Sequence, residues 1–193
     1  STWSQQAYLK SAISGTEDVF GDSISVSGDT IVVGETWEDS NQTTITNGAG
    51  ASSDNSASRA GAAYVFVRNG TAWSQEAFLK AANAEASDYF GFSLSISDDT
   101  LVVGARRESS NQTTITNGSS ASSDNSAAEA GAAYVFVRNG TTWTQQAYLK
   151  AANADQGDDF GHSVSISSDT IVVGAREEQS NQTMITNGSS ASS

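Results

Sequence analysis

Carboxylates are the side chains best placed in this sequence to do chemistry. Glu38, Asp39 and Asp54 flank one long polar stretch, and Glu108 and Asp124 flank the corresponding stretch 70 residues later. Carboxylates gathered by a folded loop can hold a hard cation such as calcium, which takes several oxygen ligands. Asp39, Asp54 and Asp124 are therefore the candidate metal ligands. Their spacing follows no established ligand pattern, so a solvated acidic surface is the preferred reading and metal binding the alternative. The single histidine, His162, stands where the other copies carry Asp22 and Phe92. A position that accepts Asp, Phe or His is not under a shared catalytic demand. No Ser-His-Asp set can recur in a chain with one histidine, so the many serines have no base to activate them. No glycine-rich segment joins a strand to a helix, so no phosphate cradle is indicated. The expectation is a protein with no catalytic residues, not an enzyme, and without a cofactor apart from the calcium option.

Composition narrows the partners. The chain has 193 residues with 9 basic and 22 acidic side chains, a net charge of −13. Such a surface repels nucleic-acid phosphates and anionic lipid. There is no cysteine, so no disulfide framework. No apolar run is long enough to span a membrane, so membrane insertion is not expected. The N-terminal Ser1-Thr2-Trp3-Ser4 lacks the charged start and apolar core of a signal peptide.

The elements that must position any site recur with a fixed period. Phe20-Gly21, Phe90-Gly91 and Phe160-Gly161 are 70 residues apart, as are Trp3, Trp73 and Trp143. A period of this length means one supersecondary unit used several times, each copy burying its apolar face on the next. Within a unit, Ser23–Ser27 alternates polar and apolar residues, as a half-buried strand does. Ser27-Gly28-Asp29-Thr30 is a turn, and Ile31-Val32-Val33 is a short buried strand. After a long polar segment come a third strand, Ala62–Arg68, the turn dipeptide Asn69-Gly70, and a fourth strand, Trp73–Lys80. The unit is thus expected to be four antiparallel strands, and tandem four-stranded sheets most often pack as propeller blades. The fold class is all-β. The expected divisions are 1–19, a fourth strand and linker of a preceding blade; 20–89, the first blade; 90–159, the second; and 160–193, a partial third. Three full periods need 210 residues, 17 more than the chain has. The chain is expected to be cut from a longer array or completed by another molecule.

The polar segment is itself repeated. Asn41–Gly48, Asn111–Gly118 and Asn181–Gly188 read Asn-Gln-Thr-x-Ile-Thr-Asn-Gly. Thr43–Thr46 with Asn47-Gly48 suggests a small extra hairpin on one rim, with neighbouring copies forming a recognition surface or a subunit contact. A flexible insert is the alternative. Asn41, Asn111 and Asn181 open Asn-x-Thr triplets and are candidate glycosylation sites, with further triplets at Asn69, Asn117, Asn139 and Asn187. Trp3, Trp73 and Trp143 are expected in the seam between blades, with sugar stacking as the alternative. Trp37 is unmatched, facing Arg107 and Glu177 in the other copies, and reads as a local surface or contact residue.

Phe-Gly-x-Ser at Phe90–Ser93, Val-Val-Gly-Ala at Val102–Ala105, Gly-Ala-Ala-Tyr-Val-Phe at Gly131–Phe136 and the strand Trp143–Lys150 together resemble the FG-GAP repeat, in its bacterial surface form. The resemblance covers almost the whole chain. It implies the seven-bladed propeller of integrin α chains, an extracellular or cell-surface location, and binding of other molecules without catalysis. Integrin-type repeats place an aspartate-rich calcium loop between their first two strands. Here that place holds only Ser27-Gly28-Asp29, Ser97-Asp98-Asp99 and Ser167-Ser168-Asp169, too few oxygens for the family's usual calcium site. The functional expectation is an extracellular repeat protein for adhesion or surface structure that self-associates through open strand edges into a larger array. A surface glycan or a protein ligand is the other partner considered, and a calcium- or carbohydrate-binding propeller module is the alternative function.

Overall fold

The computed structural model of the protein describes residues 2–13, 15, 17–181 and 183. These residues are all-β, with no helix. The first sheet holds β1 (Phe20–Ser27), β2 (Thr30–Glu35), β3 (Thr46–Asn47), β4 (Ala62–Asn69) and β5 (Ala72–Leu79). The second holds β6 (Phe90–Ser97), β7 (Thr100–Ala105), β8 (Thr116–Asn117), β9 (Ala132–Asn139) and β10 (Thr142–Leu149). The third holds β11 (Phe160–Ser167) and β12 (Thr170–Ala175). Strand order is β1-β2-β4-β5-β3 in the first sheet and β6-β7-β9-β10-β8 in the second, antiparallel throughout. The sheets stand as successive propeller blades that do not close into a ring among the described residues. The first strands lie innermost, β1 against β6 and β6 against β11.

Each blade has two unlike faces, because successive side chains of a strand point to opposite sides. One face is aromatic: Phe20, Tyr64, Phe66 and Phe78 in the first blade, Phe90, Tyr134, Phe136 and Tyr148 in the second. Their rings meet mostly edge-on or tilted, as Phe90 and Tyr134 do at 5.4 Å, while Tyr64 and Phe66 stack at 6.5 Å. The other face is small and branched: Val32, Ala63, Val65 and Ala77, then Val102, Ala133, Val135 and Ala147. The aromatic face of one blade fills the small-residue face of its predecessor. Leu94 and Ile96 of the second blade, and Ile166 of the third, are buried in these seams.

Two expectations are corrected. Trp3–Lys10 forms no strand, and among the described residues no third strand lies beside it to complete a ladder. It still keeps the repeat's register. Gln6 accepts from Trp73 Nε1 at 3.0 Å, as Glu76, 70 residues on, accepts from Trp143 Nε1 at 3.0 Å. The rim segment is not a hairpin of its own. Thr46–Asn47 and Thr116–Asn117 pair with β5 and β10 as a fifth, outermost strand. The third copy of that segment lies largely outside the described residues.

Candidate functional site

Gly34, Gly61 and Gly91 meet at the first seam, and Gly104, Gly131 and Gly161 at the second. Gly91 has φ +86°, and a Cβ there would overlap the carbonyl of Ala62 in the preceding blade. Gly61 has φ +82° and bridges to Phe90, again with no room for a Cβ. Only glycine admits both the backbone conformation and the approach.

The inner strands are joined by serines. Ser23 Oγ donates to Gly91 O at 2.6 Å, while Ser25 and Ser27 Oγ accept the N–H groups of Ile96 and Asp98 at 3.2 and 3.0 Å. Ser93, Ser95 and Ser97 repeat this with Gly161, Ile166 and Ser168. The alternating serines that mark a strand in the sequence are thus the axial contacts between blades. Sequence reasoning missed this role, though their recurrence every second residue on one face was its signal.

The most deeply buried charges are structural too. Lys80 Nζ donates to Glu38 Oε2 at 2.6 Å and Gly61 O at 2.7 Å, and Lys150 Nζ to Glu108 Oε2 at 3.0 Å and Gly131 O at 2.6 Å. Burial pulls both lysines below their usual range, and the glutamates oppose it. Glu108 also accepts from Asn83 across the seam at 3.0 Å, and Asn83 accepts from Tyr134 OH at 2.6 Å. In the first blade Ile13 replaces that asparagine and Glu35 replaces Ala105. Glu35 is fully buried, and neither oxygen makes a well-formed hydrogen bond although the Tyr64 and Ser11 hydroxyls are its neighbours. Burial, reinforced by Asp18, pushes its carboxyl up to about 7. The Tyr64 hydroxyl, whose effect exceeds that of Asp18, and the Ser11 hydroxyl pull the other way without reversing it.

The candidate metal ligands are engaged with backbone. Asp54 Oδ1 accepts from Ser56 Oγ at 2.7 Å, Ser56 N at 3.0 Å and Asn41 N at 3.2 Å. Asp124 does the same with Ser126 and Asn111. These bonds, the serine hydroxyl first, hold both carboxyls below the usual range. Asp39 Oδ1 accepts from Arg59 N at 2.7 Å. Among the described residues no group of three or more His, Cys, Asp or Glu is arranged to hold a metal. The turn aspartates Asp29 and Asp99 pair instead with Arg68 and Arg138 of the third strands. Asn41, Asn111 and Asn181 are exposed, as are Asn69, Asn117 and Asn139; Asn187 lies outside the described residues.

The rim segment clasps the next blade. Asn47 Oδ1 accepts from Trp143 N at 2.7 Å, and its Nδ2 donates to Trp143 O at 3.4 Å. Trp143 is 1% exposed, so its ring fills the seam and is closed to a sugar; Trp3, with no blade over it, is 99% exposed. Beside the clasp is a cleft of about 450 Å³ between Thr43–Asn47 and Thr142–Gln145.

The copies differ most where the inner strands begin. Positions 19, 89 and 159 are Val, Tyr and Asp; 22, 92 and 162 are Asp, Phe and His; 37, 107 and 177 are Trp, Arg and Glu. These residues share one face. Arg106 lies 4.5 Å over the Phe92 ring, and its Nη1 is 3.1 Å from Asp159 Oδ2. Arg176 reaches the same oxygen at 3.2 Å, and His162 Nδ1 stands 3.9 Å away. In the first blade Arg59 lies 4.4 Å over Trp37. Four of the chain's six arginines are on this face.

No curated protein matches the chain. Among the described residues no helix is long and apolar enough to cross a membrane. The FG-GAP repeat family profile matches residues 3–49, 73–136 and 143–190. Those matches span most of the sequence, and the Phe-Gly, Val-Val-Gly and Gly-Ala-Ala motifs are the residues that form the seams: the chain belongs to the FG-GAP repeat family.

Proposed function

We propose that this chain is a non-enzymatic, extracellular FG-GAP module of adhesion or cell-surface structure, whose blades add head to tail to further blades of the same kind. One observation carries the reading. Ile24 and Val26 are 65% and 64% exposed, whereas Leu94 and Ile96, the same positions one blade later, are 8% and 6% exposed. At the other end Val172 is 64% exposed, and its counterparts Val32 and Val102 are fully buried. The two surfaces are unlike and complementary, so their contact is heterologous and generates a ring or a filament. The buried lysines and their partner glutamates are consumed in ion pairs within each blade, and the axial serines in bonds between blades, which leaves them unavailable for catalysis. FG-GAP families are generally non-enzymatic and typical of extracellular or surface proteins, which favours the same reading.

Light scattering over a range of concentrations tests it. Mass is expected to rise with concentration, and Ile24→Glu with Val26→Glu to suppress the rise. A wild-type protein that stays monomeric and folded throughout refutes the assembly. A carbohydrate-binding module is the second reading, favoured by the rim cleft with its threonine and glutamine walls over Ile45.

A further inference from the structure

We propose that Arg59, held over the Trp37 ring, is the carboxylate-recognising centre of a docking site for a peptide segment that carries an acidic residue beside a basic one. It builds on the reading of the chain as a binding module, but not on blade assembly. In the second blade the two positions hold Arg107 and Glu129, which pair with each other at 3.3 Å. In the first blade the cation has moved to the acid's position, as Arg59, and Trp37 has taken the cation's place. A self-satisfied ion pair has become a guanidinium stacked on an indole, its Nη1 3.4 Å from the Tyr89 hydroxyl.

Arg68, Arg106, Arg107, Arg138 and Arg176 each contact a carboxylate. Arg59 is the one arginine that makes no ion pair among the described residues, in a chain with 22 acidic side chains. It is exposed, and its backbone is pinned by Asp39 at φ +59°. The indole strips water from the side of the guanidinium it covers and holds the cation in place, and a guanidinium has N–H groups beyond the one on Tyr89 with which to bind a carboxylate. The cleft of about 90 Å³ beside it is lined by Glu17, Trp37, Asp39, Ser58 and Arg59. Glu17 and Asp39 repel a polyanion but welcome a cation next to the bound carboxylate, which selects a mixed-charge peptide over an acidic polysaccharide. Trp, Tyr and Arg together are also the side chains that dominate protein-binding surfaces.

The test follows the Trp37 indole resonance, identified with Trp37→Phe, during titration with end-capped hexapeptides. The probes are alternating Lys/Glu, all Glu and all Lys, with polygalacturonate as the glycan arm. The alternating peptide is expected to shift the resonance most strongly. Arg59→Glu is expected to abolish the shift with an unchanged thermal midpoint, and Arg59→Lys to weaken binding by ~3-fold or more by losing the planar stack. If Arg59→Glu lowers the midpoint, Arg59→Gln is read in its place. The proposal is overturned if the alternating peptide gives no shift, if the shift survives Arg59→Glu, or if hexaglutamate or polygalacturonate binds more tightly.

Discussion

A lysine is tolerated in an interior only with its countercharge and hydrogen bonds in place, and Lys80 and Lys150 show what removal costs. Lys150→Ala leaves the Glu108 carboxylate buried without its cation, and a loss of about 3–5 kcal/mol is expected in urea unfolding. Lys10, the same residue one period earlier, is exposed, and Lys10→Ala is expected to be nearly neutral. Glu35 carries the opposite problem, a buried carboxyl without a cation. In the unfolded chain it ionises near its ordinary value, 4.5, and in the fold only near 7. The folded state therefore holds the extra proton between these values. Stability is fully present below the lower value and is lost as pH rises through 7. The wild type is expected to lose on the order of 2 kcal/mol between pH 5 and 8 relative to Glu35→Ala, the residue the other copies carry. Equal slopes for the two proteins would show that Glu35 is solvated or paired.

At the scale of the element, the rim segment is a clasp whose worth depends on a neighbour. Asn47→Ala removes two hydrogen bonds to the Trp143 backbone and is expected to cost about 1–2 kcal/mol. Asn117→Ala, in the same sequence context but with no such bond among the described residues, is expected to change little. Thermal unfolding of the pair makes the comparison. This element also shows where sequence reading stops. The four principal strands of the repeat were legible because alternation, β-branched runs and Asn-Gly turns are local signals. Their bounds needed little change: Ala62–Arg68 is Ala62–Asn69, and Trp73–Lys80 is Ala72–Leu79. The edge pairing of Thr46–Asn47 was not legible. Two residues hold no periodicity, and their partner strand lies some thirty residues away. Trp143 was legible as a seam residue from its strand position, whereas Trp37 became interpretable only once Arg59 was seen beneath it. The failure of Trp3–Lys10 to form a strand is the same lesson reversed. Its local pattern is that of β5 and β10, but a ladder also needs a neighbour.

The whole molecule is a stack of equivalent sheets with an aromatic side and a small-residue side, under a net charge of −13. Its carboxylates in the long loops are bonded to backbone amides, so an unchanged thermal midpoint is expected with calcium and with chelator. A calcium-dependent rise of several degrees would restore Asp39, Asp54 and Asp124 as ligands. The stacking itself is tested most directly by amide hydrogen exchange resolved at single residues. Ile96 N and Ile166 N face the preceding blade and are bonded there only by Ser25 and Ser95. Val26 N, the equivalent in the first blade, meets no serine among the described residues. Slow exchange is predicted at Ile96 and Ile166 and fast exchange at Val26 in dilute protein, with Val26 slowing as concentration rises. Exchange at Ile96 and Ile166 as rapid as at Val26 would contradict blades sealed against one another.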